Sequence, residues 1–198
     1  MIVPGMKTVV TIIAALAAAA AAALFGALWW GDRKVDRRID VRVVPVAFAP
    51  PTPAVLARGK AVFLEQHCDE CHGADGSGKV ILDEPGGLYV RAPDITPAKT
   101  SRVVNYSEAD WVRAIRHGVD PAGRALLYMP SEVFNRIDDP DFAALVAYVR
   151  ALAPGRGDLG EVRMPRMQRV RYGLGLFKDA AEKIDHRLPP SVPQGSSK

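Results

Sequence analysis

The chain has 198 residues, 24% of them charged and 48% hydrophobic, with a formal net charge of +4 and an isoelectric point near 9.2. Two cysteines are too few for a tetrahedral zinc site built from cysteine pairs. The basic surplus does not mark a nucleic-acid binder: residues 52–155 hold 11 basic and 14 acidic side chains, so the excess lies on the flanks, and no extended arginine and aromatic platform is present.

Residues 1–31 read as a membrane anchor, with a cleaved signal peptide as the alternative. From Val9 to Trp30 the chain carries no charge, a run long enough to cross a hydrocarbon core as one helix, with Lys7 ahead of it. Trp29 and Trp30 close the run as interfacial aromatics do. The alanines from Ala17 to Ala23 offer small-x-small cleavage sites, yet the apolar run continues beyond them through Leu24, Phe25 and Leu28, which favours an uncleaved anchor. Arg33, Lys34, Arg37 and Arg38 follow the run, and loop-charge bias alone would leave the carboxyl side in the cytoplasm. Residues 32–51 read as a linker: charges of both signs, the valine-rich stretch from Val41 to Val46, then Pro50 and Pro51.

Residues 52–155 read as an all-α domain. Thr52 caps a first helix with Pro53 at its first position, and Leu56, Gly59, Ala61 and Phe63 lead to His67. The next five residues are Cys68-Asp69-Glu70-Cys71-His72. Two thiols three positions apart, followed at once by an imidazole, is the spacing that attaches haem c covalently. The two sulfurs reach the two vinyl groups of one porphyrin edge, and His72 offers a nitrogen to the iron. A thiol redox pair would call for a βαβ setting, which the downstream sequence does not show. A glycine-punctuated loop from Gly73 to Gly78 follows, and little regular structure is predicted from Lys79 to Tyr106. Ser107 with Asp110 opens a second helix that closes at Gly118, with Trp111 and Ile115 on its inner face. Asp139 as cap and Pro140 at the first position open a third, with Phe142, Leu145, Val146, Val149 and Leu152 at helical spacing. Met129 lies between the second and third helices, where Pro130 keeps the chain irregular. It is the expected second axial ligand, ahead of His117, Met164 and Met167. Arg91, Arg124 and Trp111 are candidates to hydrogen-bond haem propionates. His67 and His186 are expected at the surface, and His117 is expected to be structural at its helix end.

Cys68 to His72, the helix from Gly59 to Phe63, Met129-Pro130 and the closing helix through Tyr148 and Leu152 resemble class I cytochrome c. Ala92-Pro93-Asp94-Ile95-Thr96, Ala114-Ile115-Arg116-His117-Gly118 and Met129-Pro130 are similar to the haem domains of membrane-bound bacterial cytochromes c related to the cytochrome subunits of alcohol and aldehyde dehydrogenases. The resemblance implies a class I fold around one covalent haem c, with the first and last helices crossing so that Gly59 and Phe63 meet Leu145 and Tyr148. It implies that the Pro93 carbonyl orients His72, and that the protein is no enzyme but a one-electron carrier with no small-molecule substrate.

The donor would be a periplasmic dehydrogenase or a quinol-oxidising bc-type complex, and the acceptor another cytochrome or a terminal oxidase. The protein would be single-pass in the inner membrane, the attachment chemistry placing the haem domain in the periplasm against the charge bias. A ligand-binding sensor or peroxidase-like haem protein is the alternative function. Residues 156–198 read as an extension: a weakly amphipathic helix within Met164 to Lys183, then a disordered end from Pro189. Phe177 to His186 resembles the connector of two-haem relatives, and a surface-docking segment is the favoured reading.

Overall fold

The computed structural model describes residues 4–48 and 50–187, so the expected disorder from Pro189 onward lies outside the described residues. The chain divides into two compact units, one formed by residues 1–36 with 166–177 and the other by residues 37–165 with 178–198.

In the first unit, α1 (Pro4–Val35) is one helix long and apolar enough to cross a membrane. Its side chains through the apolar run stand exposed, Leu16 at 65% and Phe25 at 72%. A short helix, α7 (Arg166–Gly173), packs against its carboxyl end. Two glycines let the backbones touch: a Cβ on Gly31 would strike the Arg169 carbonyl oxygen, and one on Gly173 would lie 2.8 Å from the Gly31 Cα.

The second unit is built on α2 (Pro53–Glu65), α3 (Cys68–His72), α4 (Glu108–His117), α5 (Ser131–Phe134), α6 (Asp139–Arg150) and α8 (Ala180–Lys183). The caps explain the helix starts. Thr52 Oγ1 accepts from the Val55 amide, and Ser107 and Asp110 form a full capping box. For α6 the cap is Asp138, one residue earlier than expected, its carboxylate accepting from the Asp141 amide at 2.8 Å. Helices α2 and α6 cross as expected. The Phe63 and Tyr148 rings meet edge to face at 5.5 Å, and Gly59 lets the Ala144 carbonyl approach where any Cβ would collide. Val62, Phe63, Trp111, Val112, Phe142, Leu145, Val146 and Val149 form the buried core.

Three features differ from the sequence expectation. The all-α reading missed a three-stranded antiparallel sheet, order β1-β2-β3, of β1 (Val80–Asp83), β2 (Tyr89–Arg91) and β3 (Glu161–Arg163). Strands of three or four residues are too short to show a period, and β3 comes from beyond residue 155, with Val90 opposite Val162. The expected linker is no free tether beyond Asp36. Residues 37–48 lie along this unit because several of their apolar side chains bury: Val41 joins Val119 and Ala181, Val46 joins the main core, and Phe48 meets Phe142 edge to face. The helix expected within Met164–Lys183 is two helices, interrupted where Gly175 takes φ +75° and restarted at Asp179, whose carboxylate caps α8.

Residues 178–187 clip onto α4 and α5. Arg37 pairs with buried Asp179 at 2.6 Å, Lys183 with Glu132 at 2.6 Å, and Ala180 sits against Gly118 and Ser131. His186, expected at the surface, stands with its Nδ1 3.0 Å from the Nδ1 of His117 and its Nε2 2.9 Å from the Ala181 carbonyl oxygen. A carbonyl only accepts, so His186 Nε2 carries its proton, and in the neutral pair His117 Nδ1–H donates to the bare His186 Nδ1.

Gly59→Ala is expected to lower the unfolding free energy by about 1–3 kcal/mol through overpacking against Ala144, although helix propensity alone favours alanine. The urea midpoint reports the sign, and a raised midpoint would mean that α2 and α6 part freely. Burial, then His186, Arg116 and Arg113, pushes His117 down to about 4. The folded state therefore resists a proton that the unfolded chain accepts near 6.5, and stability falls as pH drops from about 6.5 towards 4. Carboxylates add their own acid sensitivity, so the measurement is the difference between the native protein and His117→Gln, which is expected to flatten across that window.

Candidate cofactor-attachment site

Helix α2 stops at Glu65, and His67 adopts φ +54°, a left-handed turn that starts α3 at once. Cys68 and Cys71 are thus one helical turn apart and present both sulfurs to the same side. Both are free thiols, half-buried. Burial, reinforced by the Asp69 charge, pushes the Cys68 thiol up to about 12, and burial raises Cys71 as well. A thiol–disulfide exchange pair needs the opposite, a thiol lowered into the neutral range. His67 stays exposed, 3.3 Å from Glu70.

His72 Nδ1 lies 2.9 Å from the Pro93 carbonyl oxygen. Since the carbonyl cannot donate, Nδ1 carries the hydrogen and Nε2 keeps its lone pair. Burial lowers the His72 pKa, against the smaller opposing pull of the Pro93 carbonyl and Asp94, so the ring is neutral. A neutral imidazole whose second nitrogen is fixed by a carbonyl is the usual form of a metal-bound histidine.

The Pro93 carbonyl is itself held in place by residues the sequence reading passed over. Asp94 is fully buried; its Oδ1 accepts from the Thr96 amide at 2.7 Å and the Thr96 hydroxyl at 2.6 Å, and its Oδ2 accepts from the Gly157 amide at 2.8 Å. The Asp94 amide donates to the Asp158 carbonyl at 2.8 Å, and the Gly155 amide donates to Thr96 Oγ1 at 2.8 Å. On the other side the Gly78 amide donates to the His72 carbonyl and the Ile95 amide to the Gly76 carbonyl, at 2.8 and 2.9 Å. The Asp-x-Thr spacing was the local signal; the partners at 155–158 had none.

Trp111 is buried, and its Nε1–H has no hydrogen-bond partner among the described residues. Trp111 lines a cavity of about 300 Å³ with Ile95, Pro97, Val103, Tyr106 and Arg150. A buried donor left unpaired costs about 1–3 kcal/mol, and an acceptor such as a haem propionate would satisfy it. Arg150, unmarked in the sequence, brings a cation to the same cavity. Arg91, expected there, is placed on β2 with its Nε on Asp158 at 2.6 Å, and it is not among the cavity's lining residues. Arg124 sits in a turn whose amide bonds the Asp120 carboxylate.

Met129 is half-buried against the main core, in the loop between α4 and α5. Its carbonyl accepts from the Ser131 amide at 2.8 Å, and Ser131 Oγ donates to the Ala114 carbonyl at 3.1 Å, which ties the loop to α4. Of its competitors, His117 is engaged with His186, Met164 is buried and Met167 stands exposed on α7.

The donor set suits haem c: paired thiols on one side of a helical turn, an imidazole with its free nitrogen fixed, and a buried orphan donor, Trp111 Nε1–H, in the core cluster against which Cys68 and Met129 pack. Cys68 and Cys71 would carry the thioether bonds and His72 Nε2 would take the iron, which supplies a ferric–ferrous couple for single electrons.

A family model described as Cytochrome c matches residues 56–153. The chain is similar to the fructose dehydrogenase cytochrome subunit of Gluconobacter japonicus, 33% identical over 145 residues, which is 66% of this chain and 29% of that protein. It is similar to the gluconate 2-dehydrogenase cytochrome c subunit of Pantoea cypripedii, 33% identical over 63% of this chain and 30% of that protein. It also matches a diheme cytochrome c-type protein of Cereibacter sphaeroides at 30% identity over 67% of this chain and 48% of that protein. The chain therefore spans less than half the length of each of these relatives. Through the domain that holds Cys68, Cys71 and His72, it belongs to the cytochrome c family.

Proposed function

We propose that the protein is a membrane-anchored carrier of single electrons with one haem c, of the class I fold, held by Cys68 and Cys71 and ligated by His72 and Met129. The observation that carries the reading is the His72–Pro93 hydrogen bond, which leaves Nε2 free on the residue that directly follows two same-side thiols. One haem follows from two cysteines. No substrate binds the iron in this reading: Met129 closes the second axial position, and its thioether favours the ferrous state. The chain's own residues keep the imidazole neutral and oriented, and Trp111 and Arg150 would offer a hydrogen-bond donor and a cation to the haem propionates.

The donor is a periplasmic dehydrogenase or a bc-type complex, and the acceptor a further cytochrome or a terminal oxidase. The cytochrome subunits of dehydrogenases among the relatives support this class of partner. The protein crosses the inner membrane once through α1 and exposes its haem domain to the periplasm. The basic residues after the apolar run, whose number points the other way, have structural employment instead. Lys34 Nζ donates to the Tyr172 carbonyl at 2.7 Å, Arg37 pairs with Asp179, and Arg38 donates to the Ala122 carbonyl.

Met129→Ala is expected to lower the midpoint potential by on the order of 0.1–0.3 V, within the roughly 0.8 V range that axial ligation commands. It is also expected to let the reduced protein bind carbon monoxide. Potentiometry and CO difference spectra check both. A sensor or peroxidase, whose iron already has an open face, would scarcely change, and that result would overturn the carrier reading.

A further inference from the structure

The first unit gathers charge of one sign at one end. The unit carries six basic side chains against two acidic ones, and all but Lys7 fall after Trp30. Part of that set is engaged in packing: Arg169 pairs with Asp32 at 2.8 Å, and Lys34 lies 4.3 Å from the centre of the buried Tyr172 ring. The exposed remainder of α7 and the turn after it has a different composition. Met167, Leu174 and Leu176 are 64%, 60% and 70% exposed, and Arg166 and Arg171 stand exposed beside them. Exposed long apolar side chains interleaved in sequence with arginines are a composition suited to the headgroup region of a bilayer.

Depth follows from packing. Trp29 and Trp30 end the apolar run, exposed at 49% and 56%, at the level where aromatic rings settle in a bilayer. The next residue, Gly31, is the one whose Cα touches Gly173 and whose missing Cβ makes room for Arg169. Helix α7 is thus fixed level with the lipid headgroups rather than free in the water phase.

We infer that α7 with Leu174 and Leu176 is a lipid-binding surface for anionic phospholipid of the bilayer that α1 crosses. Arg166 and Arg171 take lipid phosphate, and Met167, Leu174 and Leu176 enter the glycerol and upper acyl region. This rests on α1 as a membrane span and extends it: charge complementarity and continuity with that span name lipid, rather than a protein, as the occupant.

The test uses the full haem-loaded chain in phosphatidylcholine vesicles with and without phosphatidylglycerol, a nitroxide on Leu174→Cys, and a second label on Met167→Cys. Flotation reports α1, and oxygen against nickel-chelate accessibility of the nitroxide, measured without added reductant, reports the depth of α7. Both labels are expected below the phosphate level in phosphatidylglycerol vesicles. Arg166→Gln and Arg171→Gln are each expected to raise the water-exposed population about fivefold, the usual weight of one basic residue at an anionic surface. Labels fully in water on protein that floats would overturn the surface while leaving the span intact. Equal depth without phosphatidylglycerol would overturn its anionic selectivity, and shielding only after a redox protein is added would reassign the face to that partner. Protein that does not float would remove span and surface together.

Discussion

A single hydrogen bond, from His72 Nδ1–H to the Pro93 carbonyl, sets the terms for the rest of the second unit. It decides the tautomer, because the carbonyl has no proton to give, and so decides that Nε2 is the nitrogen left with its lone pair. It is useful only if the carbonyl does not move. The buried Asp94 carboxylate supplies that rigidity with three accepted hydrogen bonds, two from Thr96 and one from Gly157. A carboxyl group this buried is tolerable because both its oxygens accept hydrogen bonds, and losing any of the three donors would cost part of that compensation.

This dependence gives residues 155–163 their purpose. They return to the Pro93 loop through Gly155, Gly157 and Asp158 and then add β3 to the sheet edge of β2. Residues 178–187 brace the opposite side of the unit, at α5, which follows Met129-Pro130 directly. Residues 37–48 lie along both the main core and the small cluster of Val41, Val119 and Ala181. These three segments, which lie outside the family-matched region, thus brace the Pro93 loop, the core and α5.

What was legible in the sequence was what depends on neighbours in the chain. Cys68 to His72 could be read because thioether chemistry fixes a local spacing, and the Ser107 and Asp138 starts could be read to within a residue because caps act over three positions. The crossing of Gly59 and Phe63 with the helix of Leu145 and Tyr148, and the Pro93 carbonyl beside His72, came through resemblance rather than pattern. Long-range pairings were hidden: Arg91 was assigned to a propionate because Asp158, 67 residues away, gives no sign in the sequence of claiming it. His186 looked like a surface residue for the same reason, since its partner is 69 residues distant. Strand β2 could not be recognised without β3, and the linker's valines read as a mere stretch until Val119 and Phe142 stood opposite them.

The most direct test of the account is the intact mass of the protein after expression with haem-attachment machinery, with peptide mapping of the product. The account requires a mass gain of one haem, resistant to acidic organic extraction and carried by the peptide that contains Cys68, Cys71 and His72. An unmodified mass, or a haem lost on extraction, would contradict it.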